Sequence, residues 1–341
     1  MKALKIAVYA IAKDEQANVE AFLESCQGAD AIYVGVNRGD TTGNLLEKFG
    51  ANVVWIDDIP FRFDQYRNIV LNELPHDIDV CVSLDLDERL EPGWRKKIEK
   101  VWKPNTTKLN YWLQWSDSRK FYYDRIHARA NYRWRHANHE GVYATPGTPE
   151  FSVQSDLTVY HHRDAGKDRK KNLPLLELAV KEDPNDARML WYLGREYYQD
   201  ERYDDAIKTF KDYLNVGTWG HERCWACIYI ARSFHDAHDR EAYLRMAIAE
   251  APDLRDPYVE LCSAQQARKN LKRALDTINA AIKIHTGRNS FFDNNGSYTA
   301  KPYLLKAQIL NALGRRAEEL ECYRRVLRIE PNNAVALGAI E

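Results

Sequence analysis

Nowhere does the chain run to the roughly 20 consecutive apolar residues that a membrane-spanning helix needs, so no span is expected. The start, MKALKIAVYAIAKDE, lacks the longer apolar core and small-residue cleavage site of a secretory leader and reads as a first strand. Net charge is nearly absent: 49 Lys and Arg against 50 Asp and Glu announce neither a nucleic-acid nor a membrane partner. Cysteine is sparse. Six residues scattered at 26, 81, 224, 227, 262 and 322 suggest reduced thiols and a cytoplasmic location. The lone Cys224-Trp225-Ala226-Cys227 lacks a second pair at zinc spacing and lies in helical surroundings, so it reads as packing. What remains is an ordinary soluble composition, 45% apolar and 29% charged, in 341 residues, enough for two or three domains.

The charge is balanced overall but not locally. Residues 1–100 carry 12 basic and 18 acidic side chains; residues 101–172 carry 13 basic and 7 acidic, interleaved with aromatics. An anionic ligand would be most welcome in that middle stretch.

The first hundred residues alternate between strand and helix patterns. Strands are expected at 5–12, 31–36, 51–56 and 79–85, and helices at 14–26, 42–50 and 63–74, the last stopped by Pro75. Such alternation implies a largely parallel sheet, and ligands of parallel sheets sit outside the carboxyl ends of the strands. Here those ends are polar: Lys13-Asp14-Glu15, Asn37-Arg38-Gly39-Asp40, Asp57-Asp58 and Asp85-Leu86-Asp87-Glu88. Three carboxylates in four residues after an apolar run repel one another unless water or a cation separates them.

From about residue 172 the period is helical. Leu190, Leu193, Gly194, Tyr197, Ala206 and Phe210 match the tetratricopeptide pattern, with Leu in the Trp place. Pro184 and Pro252 are 68 residues apart, two periods of 34, while Pro252 to Pro331 spans 79. An insertion of 11 residues is therefore expected, and the Gly-, Asn- and Ser-rich stretch 285–299 is its natural place.

Together, IAKDEQANVEAFLESCQGADAIYVGVNRGDTTGNLLEKFG, FRFDQYRN, VSLDLDERLEPG, YRWRHANHEGVY and LTVYHHRDAGKDRKKN resemble the family-two glycosyltransferases. The likeness is strongest to members that append tetratricopeptide repeats to a short catalytic domain, and it covers roughly residues 5–215. It implies an α/β GT-A (Rossmann-like) nucleotide-sugar domain at 1–171, followed by an all-α tetratricopeptide-repeat domain at 172–341. It further implies a metal-dependent glycosyltransferase, inverting by the family's habit, whose donor is a nucleotide-diphosphate sugar and whose cofactor is Mn²⁺ or Mg²⁺. The departures are Asp14 in the Asn place of Lys-Asn-Glu, and Asn37 where an Asp usually meets the base or ribose.

The chemistry explains why such residues belong together. The departing diphosphate gains charge, which a divalent cation stabilises, and hard cations take carboxylate oxygens. The resemblance implies Asp87 on the metal and Asp85 on the ribose or the metal's water shell. Glu88 braces the loop. Without metal, like-charge repulsion should raise the pKa of at least one carboxylate of the group. His161 completes the metal shell as an imidazole ligand. Asp14 or Glu15 lies near the nucleotide base, with the helix N-terminal carboxylate as the plainer reading of either. Arg67 either faces the diphosphate or pairs with Asp64 one turn earlier. Asn68 bonds either the sugar or a backbone carbonyl. Five of the ten histidines (127, 136, 139, 161 and 162) fall in one short region. Glu140 and Asp117 are the candidates for the base that takes the acceptor's proton, with His139 orienting acceptor or sugar. The charge run at 167–171 could meet phosphate, although such runs are usually solvated.

Two other readings stay open. In one, the repeats bind a protein and the α/β half is a vestigial nucleotide-sugar binder. In the other, Trp102, Trp112, Trp115, Tyr122, Tyr123 and Trp134 with Arg119, Arg125, Arg129, Arg133 and Arg135 stack nucleic-acid bases, as a DNA-modifying phage transferase would need. Acceptors thus include protein or peptide, saccharide and nucleic acid, and the repeats offer a route to a homo-oligomer.

Overall fold

The computed structural model describes residues 3–57, 61–117, 119–162, 173–234, 236–285 and 296–340. The chain divides into two compact units, Met1–Ala179 and Val180–Glu341. The division falls inside helix α5 (Leu173–Glu182), a little past the expected boundary.

The first unit is a three-layer α/β structure. Its strands are β1 (Ile6–Ala12), β2 (Ala31–Asn37), β3 (Asn52–Ile56), β4 (Val80–Asp85), β5 (Glu88–Leu90), β6 (Lys108–Ser116), β7 (Arg119–Ala128), β8 (Tyr132–Arg135), β9 (Gly141–Ala144) and β10 (Ser152–His161). Its helices are α1 (Val19–Ser25), α2 (Thr41–Lys48), α3 (Phe63–Glu73) and α4 (Trp94–Val101). The main sheet has the order β3-β2-β1-β4-β7-β6-β10-β5, and β8 pairs with β9 separately.

The expectation of a largely parallel sheet holds for its first half and again for the β6–β10 pair. β3, β2, β1 and β4 are parallel. β7 then runs antiparallel to both β4 and β6. The cause is local: only two residues separate β6 from β7, and strands joined by so short a connection are antiparallel. The sheet is therefore mixed.

The alternation of side chains splits the core across the sheet. On one face Val8, Val34 and Val82 meet Phe22, Leu46, Trp94 and Ile98. On the other, Tyr9 and Cys81 meet Val70 and Leu71 of α3 with Tyr132, Trp134 and Val142 of the small sheet. Gly35 of β2 lets α3 come close, because a Cβ there would lie 2.4 Å from a Val70 methyl.

The second unit is a series of antiparallel helix pairs. Its further helices are α6 (Ala187–Gln199), α7 (Tyr203–Val216), α8 (Gly220–Ser233), α9 (Ala237–Glu250), α10 (Asp256–Ala267), α11 (Leu271–Lys283), α12 (Lys301–Ala312), α13 (Arg316–Ile329) and α14 (Ala334–Ile340). α6 packs on α7, α8 on α9, α10 on α11 and α12 on α13. Neighbouring pairs stack through α7 on α8, α9 on α10 and α11 on α12. Four pairs exceed the three or so that stacked repeats of this kind need for stability. The small residue of the motif lets the paired helices approach closely: a Cβ on Gly194 would lie 2.8 Å from the Phe210 ring of the partner helix. Asp186 caps α6 by accepting from the Met189 N–H at 3.0 Å. The extra residues fall between α11 and α12, where 286–295 lie outside the described residues. All six cysteines are buried and free, Cys224 and Cys227 among the packed residues of α8.

Candidate functional site

The carboxyl ends of β1, β2 and β4 share one rim, because these strands are parallel neighbours. Asp40, just past β2, ties two of them together. Its carboxylate accepts from the Asp14 N–H and the Thr42 N–H, each at 2.8 Å, while Glu15 N–H donates to Thr42 Oγ1 at 3.0 Å. Burial pushes the Asp40 carboxyl up, but these donors outweigh it and leave the group below its ordinary range. Asp14 takes a positive φ of 55° in this turn. The Asp14 and Glu15 backbones thus have a structural task. Asn37 donates through Nδ2 to the Tyr66 hydroxyl at 2.8 Å.

At the end of β4 lies a buried ionic cluster. The Arg67 guanidinium of α3 is 1% exposed. Its Nε donates to Glu140 Oε1 at 2.8 Å, its Nη1 to Ser83 Oγ at 3.1 Å, and its Nη2 to Asp85. Arg125 of β7 reaches the same two acids, with Nη1 2.9 Å from Asp85 Oδ2 and Nη2 3.4 Å from Glu140 Oε1. Both cations lie over the Trp134 ring, at 4.8 and 5.6 Å from its centroid. Burial favours the neutral acid at Asp85, but the Arg125 and Arg67 charges hold its carboxyl far below the usual range. The Asp64 pairing considered for Arg67 does not occur; Asp64 pairs with Arg62 at 2.9 Å instead.

Glu88 opens β5, and its Oε2 accepts the Asp85 N–H at 2.9 Å. It braces the loop, as expected. Burial first, and repulsion from Asp85 second, push its carboxyl up to about 7. The predicted raised carboxylate is therefore this one, with burial as the larger cause.

Asp87 is brought to His161 by the sheet. β5 pairs antiparallel with β10, setting His161 opposite Glu88. His161 Nε2 then lies 3.5 Å from Asp87 Oδ2, and the His162 N–H donates to the Asp87 carbonyl at 2.7 Å. The Trp115 ring stacks flat on the imidazole, 4.2 Å away. Burial lowers the His161 pKa, but the Asp87 carboxylate more than compensates and the net shift is upward.

The remaining candidates are dispersed. Asp117 is exposed in the turn between β6 and β7. His139 and His136 lie between β8 and β9 with positive φ angles of 50° and 78°. Asn68 takes the backbone option: it donates to the Trp134 carbonyl at 2.9 Å and accepts the Trp134 N–H at 3.0 Å. The charge run at 167–171 lies outside the described residues.

No family model matches the chain. No curated protein matches it either. Solved structures do. MamA is similar with a TM-score of 0.41 and 19% identity over 50% of this chain and 98% of that one. YrrB, a TPR protein with an unusual peptide-binding site, is similar at 0.40 and 17%, over 50% of this chain and 82% of its own. TTC0263, a thermophilic TPR protein of Thermus thermophilus, is similar at 0.35 and 17%, over 49% and 86%.

Two residues of the site carried no sequence signal of their own. Arg125 was one basic residue among many, and only the pairing of β7 with β4 brings its guanidinium within reach of Asp85. Trp134 was one aromatic of a run, and the second sheet seats it under both guanidiniums. Behind it lies a chain of buried hydrogen bonds. Trp134 Nε1–H donates to the Tyr9 hydroxyl at 2.6 Å, and that hydroxyl lies 2.8 Å from His127 Nε2. His127 Nδ1 lies 2.8 Å from the Ala128 carbonyl, so Nδ1 carries the proton and Nε2 accepts from Tyr9.

A divalent cation would find a carboxylate oxygen and an imidazole nitrogen together at Asp87 and His161, a donor set that suits an Mn²⁺-type cation better than the oxygen-seeking Mg²⁺. Each Asp85 oxygen already meets a guanidinium. The group of three ligand-bearing side chains found close together among the described residues is elsewhere, the exposed Asp236, His238 and Asp239. Its geometry is that of a helix start: Asp236 accepts the His238 and Asp239 N–H groups at 2.7 and 3.1 Å.

Proposed function

We propose that the α/β unit is a GT-A-type glycosyltransferase acting on a nucleotide-diphosphate sugar, and that the helix pairs present a protein or peptide acceptor. The observation that carries the enzymatic reading is the meeting of Asp87 and His161 at the rim where β1, β2 and β4 end. When bound, a divalent cation held by those two residues would supply positive charge for the diphosphate leaving group. Asn37, Asp14 and Glu15 stand on the neighbouring strand ends, where a nucleoside would lie. Arg67 and Arg125 have a different task from contacting diphosphate directly: they fix Asp85 and Glu140 in place. Of the two base candidates, Asp117 keeps an exposed carboxylate, whereas that of Glu140 already accepts from two guanidiniums.

The same clamp favours a second reading. A site whose Asp85 and Glu140 are both committed to arginines suits a unit that holds a nucleotide sugar without turning it over. The repeats would then do the work by binding a protein.

Thermal unfolding with a panel of nucleotide sugars, each with and without Mn²⁺, separates the two readings when followed by a hydrolysis and transfer assay. A saturating donor stabilises by about 2–3 kcal/mol at a hundredfold excess over its dissociation constant. The transferase reading expects a metal-dependent shift and turnover in wild type, with both lost in Asp87→Ala. A shift without turnover selects the binder. Neither shift nor turnover rejects a nucleotide-sugar role.

A further inference from the structure

The helical unit contains a cavity that the proposed function does not use. It has a volume of about 240 Å³ and is lined by Arg255, His285, Tyr298, Thr299, Tyr303, Arg325 and Ile329. Two guanidiniums and an imidazole converge there, and no Asp or Glu among the described residues lines it.

Arg255 makes this a built feature. The side chain is 8% exposed, yet it carries a full charge. Its Nε donates to the Ile284 carbonyl at 2.6 Å and its Nη2 to the Ile282 carbonyl at 3.3 Å, closing the end of α11. Both of these acceptors are neutral. The guanidinium is held over the Tyr298 ring, 5.0 Å from its centroid, and the Tyr298 hydroxyl receives the Arg255 backbone N–H at 3.1 Å. A buried cation held this firmly by neutral groups calls for a counter-charge.

Arg325 completes the pair from α13. Its neighbours Arg324 and Arg328 both reach Glu321, whereas Arg325 lies over the Tyr303 ring at 5.8 Å and meets no carboxylate among the described residues. The two arginines thus arrive from different helix pairs and share one concave space. Guanidinium forks match the oxygens of a tetrahedral anion, and aromatic rings beside them keep the forks in plane.

We propose that this cavity is an oxyanion site for a phosphate group, taken as inorganic phosphate or as a phosphomonoester with a small organic stem. The size argues for the small ligand: about 240 Å³ lies below the roughly 300–1,000 Å³ typical of pockets for larger ligands. The two arginines together call for a dianion in preference to a carboxylate.

The test is isothermal titration of the full chain with inorganic phosphate at constant ionic strength, alongside acetate. Arg325→Gln is the first variant, because Arg325 is exposed and its loss leaves the helix pairs intact. Wild type is expected to saturate with phosphate at least tenfold more tightly than with acetate. Arg325→Gln should weaken phosphate at least fivefold, and His285→Gln should do so by a smaller factor. Asp87→Ala should leave phosphate binding unchanged, which separates this cavity from the rim of the α/β unit. Phosphate binding that is absent in wild type, or equal in wild type and Arg325→Gln, overturns the proposal. Phenyl phosphate then distinguishes the sources: tighter binding than inorganic phosphate assigns the site to a phosphomonoester, and equal binding assigns it to the free ion.

Discussion

Arg125 shows how one side chain can hold a site without touching a ligand. It shares Asp85 and Glu140 with Arg67, and both guanidiniums are buried. Removing one partner of such a group leaves buried charge uncompensated, at a cost of about 3–5 kcal/mol. Arg125→Leu is therefore expected to lower the unfolding free energy by that order, measured by urea denaturation; a loss below about 1 kcal/mol would show that the clamp is not structural. His127 gives a prediction for pH. Burial drops its pKa from 6.5 to about 4. The folded state thus disfavours the proton that the unfolded state accepts. This contribution to stability is full above pH 6.5 and lost as pH falls towards 4, amounting to about 3 kcal/mol in all. His127→Gln should flatten the stability curve across that window. An unchanged acid limb would mean that another group governs it.

At the scale of elements, the β5–β10 ladder makes the site. Asp87 and His161 are far apart in the chain, and a three-residue strand aligns them. Shifting the register by one residue would turn His161 to the opposite face. In the helical unit the comparable device is Gly194. A methyl group there meets the Phe210 ring at 2.8 Å, so Gly194→Ala should cost about 1–3 kcal/mol through overpacking. Thermal unfolding checks this: a midpoint equal to wild type would mean that the α6–α7 contact yields freely. The strand and helix periods were legible in these stretches because each element buries one face. The antiparallel entry of β7 was not, since periodicity tells which residues are strand but not which strand lies beside which.

For the whole molecule, the nucleic-acid reading weakens. Of the basic residues in the stretch 102–135, Arg125 is buried in the ionic cluster and Arg129 bonds the Asn72 and Leu74 carbonyls. Trp102 and Trp134 are core residues, while Trp112 and Tyr122 stack on each other at 3.8 Å. Arg119, Arg133 and Arg135 are left exposed. Lys103 and Lys120 are exposed as well, and five cations on single-stranded DNA give a slope of log K against log salt of about −3.5. A measured slope steeper than about −4 would restore a nucleic-acid partner.

The sequence by itself determined the two-part organisation, the polar strand ends, the helix-pair repeat and its insertion. Each of these follows from local pattern: side-chain period, turn residues and proline spacing act within a few residues. Only the tertiary structure decided how the charges pair. Asp85 went to two arginines, one on a helix and one on a strand placed beside β4 by a hairpin, while Asp87 was left to His161. Arg255 and Arg325 likewise came together from separate helix pairs. Buried charges must find partners wherever the fold brings them, and that choice is made by packing across the whole unit, which no stretch of sequence contains.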